Sequence, residues 1–477
     1  MKTKYKYIIL GAGVSGLSTA YELSRTNNED ILILEKDDMV GGLCKTISKN
    51  NSYYDLGSHR IHSQVPENFL GFVNQVSTSR VIKNIRGGKL RLNKSFITYP
   101  IKSFQFFISL GFIDFFLCSF SFIKYRLKRF FTNNNHQVQN YETYLINHAG
   151  KHAYKIFYEP YAKKVWGCEP HEISVNAVKK RVSMTSPLSF IKEIIVHFFK
   201  KNNYNYYYYL QQGIGDFAKG LENFLLKKNV EIATNITDIQ LTDVSQTHQI
   251  QFSTISGNSF TVEYENLIST IPIEELILKL TKEKEITEIA KKLRWRGLKL
   301  VYIHVNEEPK YKGETFYFPE VKYIFGRVSI PKRFSEDMLN TSDYISYVCE
   351  VPCSEGDEKW NMKPDEIYNR CFNDLVKAKL ISGQNEQITK NNFCINLAKV
   401  YPLYTVGWQN NFDRLIDWLR EHYDYVYSSG KCGFFLHCNM DHSVEIGQKL
   451  AQHIISGKKP AEWNNNIKDF HNYKLRD

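Results

Sequence analysis

The chain has 477 residues, of which 43% are apolar and 23% are charged. This length allows two or three domains, and the composition is that of a folded globular protein, which excludes a disordered or fibrous chain. The formal net charge of +12 favours anionic partners such as a nucleotide diphosphate, a carboxylate or an acidic membrane surface. We expect no nucleic-acid partner, because no recognition motif accompanies the charge, which a biased genomic base composition explains equally well.

The nine cysteines show neither a C-x-x-C pair nor the ligand spacing of a zinc site. We therefore predict buried free thiols and no metal centre. No secretory signal is recognisable, because an apolar strand follows almost directly after Met1. Free thiols without such a signal favour the reducing cytoplasm.

The N-terminal residues predict a dinucleotide site. Residues 5–10 form an apolar run, residues 11–16 read G-x-G-x-x-G, and residues 17–25 have helical spacing. A second apolar run, Ile31–Leu34, ends in the acid Glu35. Together these segments predict a βαβ unit that binds a dinucleotide at its glycine turn. The glycines alone would mark no more than a turn; the strands, helix and acid in register favour the nucleotide site.

Each residue type at this turn has a physical reason. Gly11 allows a tight exit from the strand, Gly13 lets the backbone approach a pyrophosphate, and Gly16 lets the helix pack closely on the sheet. The helix N-terminus offers free N–H groups and the positive end of its dipole to the phosphates. Glu35 is placed to accept hydrogen bonds from a ribose diol.

Two further motifs indicate which dinucleotide binds. The doublet Gly41-Gly42 follows the acid, and residues 54–59 read YDLGSH; near the other end, residues 430–433 read GKCG and residues 439–443 read NMDHS. This combination resembles the flavin amine oxidase superfamily, which implies FAD, with the doublet at the ribityl diphosphate and His59 beside the flavin ring. The cofactor-binding residues that the resemblance implies are Gly11, Gly13, Gly16, Glu35, Lys36, Gly41, Gly42, Leu43, His59, Ile236, Gly433, Asn439, Asp441, His442 and Ser443.

Residues 101–131 are almost continuously Phe, Ile and Leu, and a basic cluster closes the run. Gln105 and Asp114 make a membrane-spanning helix unfavourable. A buried helix pair is our first interpretation. The alternative is peripheral membrane contact, with a helix lying in the interface and anchored by the basic cluster.

The rest of the chain alternates helical and strand patterns. Helical spacing covers residues 141–157 and 217–228, a strand is predicted at 204–209, and residues 276–400 contain β-rich runs that favour an antiparallel sheet. We therefore predict an α/β fold with a discontinuous Rossmann-like FAD-binding domain, a helical insertion and an antiparallel-sheet substrate-binding domain. The predicted bounds are 1–95, 205–275 and 420–477 for the FAD-binding domain, 96–204 for the insertion and 276–419 for the substrate-binding domain.

Within the superfamily, the order of short segments resembles the UDP-galactopyranose mutases of the eukaryotic type and their bacterial relatives. The segments are Tyr99-Pro100, residues 158–167 with Pro170 and Arg181, residues 316–319 with Arg327, Tyr401-Pro402 and residues 439–443. A Tyr-Pro pair means little alone, and the ordered set carries the resemblance. The catalytic residues that it implies are His59, Tyr99, Arg181, Tyr317, Arg327 and Tyr401.

The chemistry of a sugar nucleotide gives these residues plausible roles. We expect Arg181 and Arg327 to clamp the diphosphate, since a guanidinium binds phosphate bidentately and lysine does not. Tyr317 and Tyr401 would donate hydrogen bonds to the same oxygens, and His59 would orient the flavin or transfer a proton near neutral pH. For each residue taken singly, a structural role is equally well supported.

Three positions depart from the mutase pattern. Phe435 replaces a tyrosine and cannot hydrogen-bond to a phosphate, Lys431 replaces an arginine, and Arg60 replaces an aliphatic residue. These departures leave the identity of the sugar open.

The leading hypothesis is an FAD enzyme acting on a nucleotide- or lipid-linked sugar in glycan synthesis. The resemblance implies redox-neutral ring isomerisation through N5 of the reduced flavin, with NAD(P)H as a candidate reductant. The alternative is an FAD-dependent oxidoreductase of the protoporphyrinogen oxidase or amine oxidase type, which needs an apolar substrate cavity. A non-catalytic flavoprotein docked on a membrane is the third hypothesis.

Overall fold

The computed structural model describes residues 1–26, 30–93, 95–99, 111–132, 140–176, 206–244, 247–341, 343–383 and 391–475. The strands are β1 Lys4–Leu10, β2 Ile31–Leu34, β3 Thr46–Lys49, β4 Ser52–Asp55, β5 Ile61–His62, β6 Val81–Ile85, β7 Lys89–Leu92, β8 Ser95–Thr98, β9 Tyr206–Leu210, β10 Glu231–Ala233, β11 Ile236–Val244, β12 Thr247–Thr254, β13 Ser259–Ser269, β14 Trp295–Val305, β15 Thr315–Tyr317, β16 Arg327–Ser329, β17 Ile345–Cys353, β18 Phe393–Pro402 and β19 Val426–Ser428.

The α-helices of the described ranges follow the same chain order. They are α1 Val14–Thr26, α2 Glu67–Val76, α3 Phe112–Thr132, α4 Tyr141–Ala149, α5 Lys151–Ala153, α6 Glu159–Trp166, α7 Gly215–Lys227, α8 Ile273–Leu280, α9 Lys284–Lys291, α10 Glu358–Asn361, α11 Pro364–Lys377, α12 Trp408–His422, α13 Gly430–Gly433, α14 Met440–Ile455, α15 Pro460–Asn464 and α16 Ile467–His471.

The first sheet contains the predicted βαβ unit. Its strand order is β10-β2-β1-β13-β12-β11, and β19 also pairs with β13. Strands β10, β2, β1, β13 and β19 run parallel, whereas β11, β12 and β13 form an antiparallel meander. All four side chains of β2 are buried, as expected for a parallel strand that is covered on both faces. The carboxyl ends of β1 and β2 therefore meet at the glycine turn.

The second sheet is mainly antiparallel, as predicted, with strand order β18-β14-β17-β16-β15-β7-β8. Every residue of β14 is buried, because successive side chains point to opposite faces of the sheet and both faces are covered. Val301 and Ile303 share a core with α11, while Leu300 and Tyr302 pack with Tyr54 of β4, which pairs with β3 in a separate two-stranded sheet. Strands β7 and β8 also pair in the second sheet, although the predicted bounds assign them to the FAD-binding domain and the insertion; those domain bounds stay a prediction.

The predicted helix at 141–157 is interrupted. Gly150, with φ +84°, ends α4, and a Cβ on it would lie 2.7 Å from Phe122 N in α3. The chain then continues through α5, a π-helical turn at Tyr154–Tyr158 and α6. Close packing of α3 thus requires the glycine that breaks the longer helix. Within the described ranges, no helix has the length and apolar character needed to cross a bilayer.

Candidate active site

The glycine turn after β1 leaves space at one glycine and none at another. Gly11 has φ +98°, and its N–H donates to Leu34 O over 2.8 Å. A Cβ built on Gly16 would lie 2.2 Å from Gly11 O, so α1 packs directly on the turn. A Cβ built on Gly13 would meet no atom within 4 Å. The turn therefore keeps an open backbone surface at Gly13, the position predicted to approach a pyrophosphate.

Two buried hydroxyls beside this turn have no hydrogen-bond partner among the described residues. Ser15 Oγ lies in the first turn of α1, and Ser429 Oγ lies directly before α13. Gly430 brings these segments together, since a Cβ there would lie 2.9 Å from Ser15 Oγ. A buried unpaired hydroxyl costs about 1 to 3 kcal/mol. Donors at the N-terminus of α1 fit the oxygens of a bound phosphate, which would remove that cost.

Glu35 directly follows β2 beside the turn and is buried. Its Oε2 accepts a hydrogen bond from Ala12 N over 2.7 Å, and its Oε1 accepts one from Asp37 N over 3.0 Å. Ile236 N donates to Glu35 O over 3.0 Å, so these two predicted cofactor-binding residues are neighbours. Lys36 is exposed. Carboxylate oxygens accept more than one hydrogen bond, so Glu35 can also accept from a ribose hydroxyl, and this role stays a prediction.

The glycine doublet lies against the first turn. Gly41 N donates to Ala12 O over 2.8 Å, and a Cβ on Gly42 would lie 3.2 Å from Gly13 Cα. Leu43 follows in a short 3-10 helix and packs on the core cluster that borders the second sheet. The open backbone at Gly13 is thus bordered by both glycine segments.

The C-terminal motif forms the start of α14. Asn439 caps this helix, and its N–H donates to His442 Nδ1 over 3.3 Å. A Cβ on Gly433 would lie 2.8 Å from Ser428 Oγ, which places α13 tightly on β19. The buried side chains of the motif are Asp441, His442 and Ser443. Helix α14 packs along α1, where Thr19 Oγ1 donates to Gly447 O over 3.2 Å, so both ends of the chain form one site.

The segment that leads to His59 is held by hydrogen bonds to several separate parts of the chain. Asp55 accepts hydrogen bonds from Thr46 Oγ1, Tyr209 OH and Ile214 N. Burial raises the pKa of Asp55 to about 6, although these hydrogen bonds oppose the shift. Further along, Ser58 N donates to Glu350 Oε1 over 2.9 Å. The backbone before His59 is therefore fixed to the second sheet.

His59 has an environment that keeps its ring neutral. Its Nδ1 is buried and makes no hydrogen bond within the described chain. Burial lowers the pKa of His59 to about 4, and the nearby Arg327 guanidinium adds to the shift. Burial therefore disfavours a charged His59 near neutral pH, and its predicted role beside the flavin stays a prediction. A neutral imidazole can still accept or donate one hydrogen bond to a ligand.

Arg327 is already paired with an acid. Its Nε lies 2.8 Å from Glu350 Oε1 and its Nη2 lies 2.7 Å from Glu350 Oε2. The two residues are Cα partners on β16 and β17. Burial alone would lower the pKa of Arg327, but the Glu350 carboxylate outweighs it and raises that pKa well above its usual value. The guanidinium stays charged, and its Nη1 is outside the bidentate pair and remains available to a ligand.

Aromatic and basic side chains surround Tyr317. The rings of Tyr99 and Tyr317 are 4.3 Å apart, and the Arg86 guanidinium lies 5.3 Å from the centre of the Tyr99 ring. Arg60 Nη2 lies 3.5 Å from Tyr317 OH, while its Nη1 lies 3.1 Å from Glu314 Oε1. Arg60, with its charge offset by Glu314, thus places N–H donors beside Tyr317, which is predicted to bind a phosphate oxygen.

The remaining predicted residues approach the same place. Lys431 Nζ lies 5.6 Å from the centre of the Tyr401 ring. Lys431 is close enough to His59 for its charge to lower the pKa of the imidazole further. The phenols of Tyr317 and Tyr401 are close enough to Arg327 to raise the pKa of its guanidinium. The structure therefore brings together His59, Tyr99, Tyr317, Arg327 and Tyr401. Arg181 lies outside the described residues.

Three buried charged residues were missed in the sequence analysis. Glu350 was detectable, because it is the one charged residue of the otherwise apolar run Ile345–Cys353. Glu314 and Lys164 have no comparable signal. Lys164 Nζ donates to Phe318 O over 2.7 Å and to Glu320 O over 2.8 Å, and burial lowers its pKa to about 7. Lys164 therefore joins α6 to the loop that follows Tyr317.

Phe435 lies in the core. Its ring centre is 5.0 Å from that of Trp295, 5.8 Å from that of Tyr404 and 5.9 Å from that of Trp408. The side chain is fully buried. A hydroxyl at this position would enter an aromatic cluster, so the replacement of tyrosine by phenylalanine is explained by packing in this chain.

The chain matches the family model described as flavin containing amine oxidoreductase over residues 14–394, well over half of its length. It belongs to this family of flavin-containing amine oxidoreductases. The mixed α/β fold and the predicted superfamily are confirmed, and the protein is a flavin-dependent enzyme. The open backbone at Gly13 and the unpaired Ser15 and Ser429 hydroxyls fit the diphosphate of a flavin dinucleotide.

Curated relatives match only parts of this chain. The UDP-galactopyranose mutase of Mycoplasma genitalium is 25% identical over 240 residues, which cover 49% of this chain and 55% of the relative. An L-amino-acid oxidase of Crotalus adamanteus is 32% identical over 110 residues, which cover 20% of this chain and 21% of the relative. The chain thus aligns with about half or less of the length of these relatives.

Solved structures match the whole fold. A crystal structure of reduced UDP-galactopyranose mutase has a TM-score of 0.82 at 20% identity, and the match covers 99% of this chain and 98% of that one. A structure of putrescine oxidase bound to putrescine has a TM-score of 0.60 at 12% identity and covers 95% of this chain and 99% of that one. At these identities, the likeness establishes the fold and not the reaction.

Proposed function

We propose that this flavoenzyme binds FAD and isomerises the ring of a nucleotide- or lipid-linked sugar in glycan synthesis, as its likeness to UDP-galactopyranose mutases suggests. The observation that carries this proposal is the convergence of Arg327, Lys431 and two tyrosines beside His59. Cations combined with phenol donors suit a diphosphate. The reduced form of the flavin as the active form, with NAD(P)H as its reductant, is part of the proposal.

The residues divide into two groups in this proposal. The segments around Gly13, Gly42, Ser15 and Gly433 hold the FAD diphosphate. Glu35 accepts a hydrogen bond from a hydroxyl group of the FAD ribose. The bound flavin would supply a reactive ring nitrogen beside His59.

The substrate side is formed by cations and phenols. The free Nη1 of Arg327 and the Lys431 ammonium bind the diphosphate of the substrate, with Arg181 as a further predicted clamp. Tyr317 and Tyr401 donate hydrogen bonds to the same oxygens. The neutral His59 orients a hydroxyl group through a hydrogen bond and adds no further positive charge to Arg327 and Lys431.

One observation favours an oxidoreductase of the protoporphyrinogen oxidase or amine oxidase type as the second candidate. Both Arg327 and Arg60 are paired with buried acids, Glu350 and Glu314. These pairs reduce the net positive charge of the pocket. A substrate without a diphosphate needs fewer uncompensated cations around it, and such a pocket therefore suits it.

We further propose that the enzyme works in the cytoplasm. The nine cysteines, all within the described residues, are free thiols, as suits a reducing compartment.

Competition binding tests the proposed substrate class. UDP, other nucleoside diphosphates and farnesyl diphosphate would compete with a fluorescent nucleoside diphosphate on the flavin-loaded protein in both redox states. Lys431→Gln should weaken binding about tenfold to a hundredfold, since it removes a charged hydrogen bond. Glu350→Gln should tighten binding, because it removes the acid that compensates Arg327.

The exposed Lys219 offers a matched control, and Lys219→Gln should leave the affinity unchanged. Flavin absorbance and unfolding midpoints would verify that each variant is folded and loaded. Absence of diphosphate binding in both redox states would contradict the mutase-like proposal and favour the oxidoreductase.

A further inference from the structure

Helix α3 exposes an apolar side to solvent. Phe112 is 78% exposed and Phe120 is 70% exposed. The other large apolar side chains exposed on this helix are Ile113, Phe116, Leu117, Ile123 and Leu127. At about 100° per residue, these seven positions fall within an arc of about 140°. A continuous apolar surface of this kind on a soluble enzyme marks an interaction site.

The opposite side of α3 packs on the protein. Asp114, the one acid in the sequence of this helix, lies 3.0 Å from His152 Nε2. Cys118 is buried, and Ser121 Oγ accepts a hydrogen bond from His152 N over 3.2 Å. The negative charge of α3 is therefore directed toward the fold and away from the exposed apolar side.

Basic residues border the apolar side. Lys124, Arg126 and Lys128 are exposed in the C-terminal half of α3, and Lys151 and Lys155 are exposed on the segment packed against it. On the helical wheel, Lys124 lies just inside one edge of the apolar arc and Lys128 just outside it, and Arg126 lies beyond the other edge. Phe and Leu beside exposed cations are the composition of a helix that lies in a bilayer interface rich in anionic lipid.

We propose that α3 docks the enzyme flat on an anionic lipid bilayer, with Phe116 and Phe120 inserted at the headgroup boundary and Lys124 and Lys128 on the phosphates. The helix is not apolar enough to cross the bilayer. Charge complementarity favours lipid over a second copy of this chain, which would present the same cations. Docking requires neither flavin nor sugar, so it stands or fails independently of the proposed reaction.

The docking side is adjacent to the candidate substrate site. Ile156, on the π-helical turn after α5, is exposed, whereas the next residue, Phe157, packs in one cluster with Tyr99 and Tyr317. The segment after α5 thus joins the docking helix to the candidate site; access of a lipid-linked sugar to that site from the bilayer rests on the proposed function.

Vesicle cosedimentation of the full-length, flavin-loaded protein tests the proposal. We expect binding to vesicles of phosphatidylcholine with phosphatidylglycerol, and much weaker binding to phosphatidylcholine alone. Lys124→Gln/Lys128→Gln should weaken binding about twentyfold, since each basic residue contributes about fivefold near an anionic surface. Phe116→Ser/Phe120→Ser should weaken it at least about tenfold, because two inserted rings are lost.

Leu226→Ser/Lys227→Gln is the matched control, since both residues are exposed on α7, away from α3. It should bind like the wild type, and unchanged flavin absorbance and circular dichroism would show that every variant is folded. No binding to anionic vesicles would overturn the proposal. Loss of binding in the lysine variant with full binding in the phenylalanine variant would also overturn it, because nonspecific attraction would then suffice. A concentration-dependent dimer that Phe116→Ser/Phe120→Ser abolishes would assign the surface to a second copy instead.

Discussion

Two buried acids control the charge of the candidate substrate pocket. Glu350 forms a bidentate pair with Arg327 and also accepts a hydrogen bond from Ser58 N. Glu314 pairs with Arg60. Each acid holds its arginine in one orientation and offsets one positive charge, so the pairs lower the net positive charge that an anion would meet. Removal of either partner alone would leave a buried charge without compensation.

At the residue scale, the buried His59 predicts a pH dependence of stability. Its pKa is about 4 in the folded protein, compared with 6.5 when exposed. Above pH 6.5 both states are neutral and the full stability is present. As the pH falls from 6.5 to 4, the unfolded state binds a proton that the folded state does not, so stability is lost, about 1 to 2 kcal/mol at pH 5.

The variant His59→Gln should remove this loss. Urea unfolding of both proteins at pH 7 and pH 5 measures it, and the variant should show the smaller decrease. His304 also has a pKa near 4 and is present in both proteins, so the difference isolates His59. An equal decrease in both proteins would mean that His59 is not held neutral by the fold.

At the element scale, the turn between β1 and α1 contains glycines that are needed for two different reasons. Gly16 is required by the fold, because a Cβ would overlap Gly11 O. A Cβ on Gly13 would meet no protein atom within 4 Å, so a side chain there would interfere only with a bound ligand. One loop thus serves both packing and cofactor binding.

This difference predicts opposite results for two equal substitutions. Gly13→Ala should keep the thermal unfolding midpoint of the flavin-free protein and reduce the bound flavin, because its Cβ would occupy the approach of the diphosphate. Gly16→Ala should lower the midpoint strongly, since the overlap with Gly11 O must be relieved by moving α1. Flavin absorbance per protein and calorimetry of the flavin-free form measure both effects. Full flavin binding in Gly13→Ala would exclude the proposed approach of the diphosphate.

At the scale of the whole molecule, the two ends of the chain complete one cofactor site. Helix α14 packs on α1 so closely that a Cβ on Gly447 would lie 2.4 Å from Ser15 O. Gly430 makes a second close approach to Ser15. The first turn of α1 is therefore positioned by residues near the C-terminus, and the Ser15 hydroxyl depends on both.

A substitution near the C-terminus should consequently affect the flavin at the N-terminal turn. Gly447→Leu should lower stability by about 1 to 3 kcal/mol through overpacking and should also reduce flavin content, because α14 must move away from α1. Gly71→Ala in α2 is the control, since a Cβ there meets nothing within 4 Å. Absorbance spectra and thermal midpoints of both variants would show the difference. Unchanged flavin content in Gly447→Leu would contradict the coupling of the two ends.

The sequence by itself determined the βαβ unit, the flavin family and the antiparallel character of the second sheet. These features depend on neighbouring residues: β2 is apolar at every position because both its faces are covered, and Gly11 follows β1 because the turn needs a positive φ. The segment order also placed Tyr317, Arg327 and Tyr401 in one site, although it did not reveal their geometry.

Only the tertiary structure decided how those side chains are used. The orientation of the Arg327 guanidinium depends on Glu350, which reaches it because β16 and β17 are adjacent in the sheet. The pKa of His59 depends on burial that no local pattern encodes. Phe435 belongs to the core because distant aromatic residues surround it. In α3, periodicity shows that an apolar side exists, but only packing shows which side the fold buries, since Asp114 finds His152 across the helix contact.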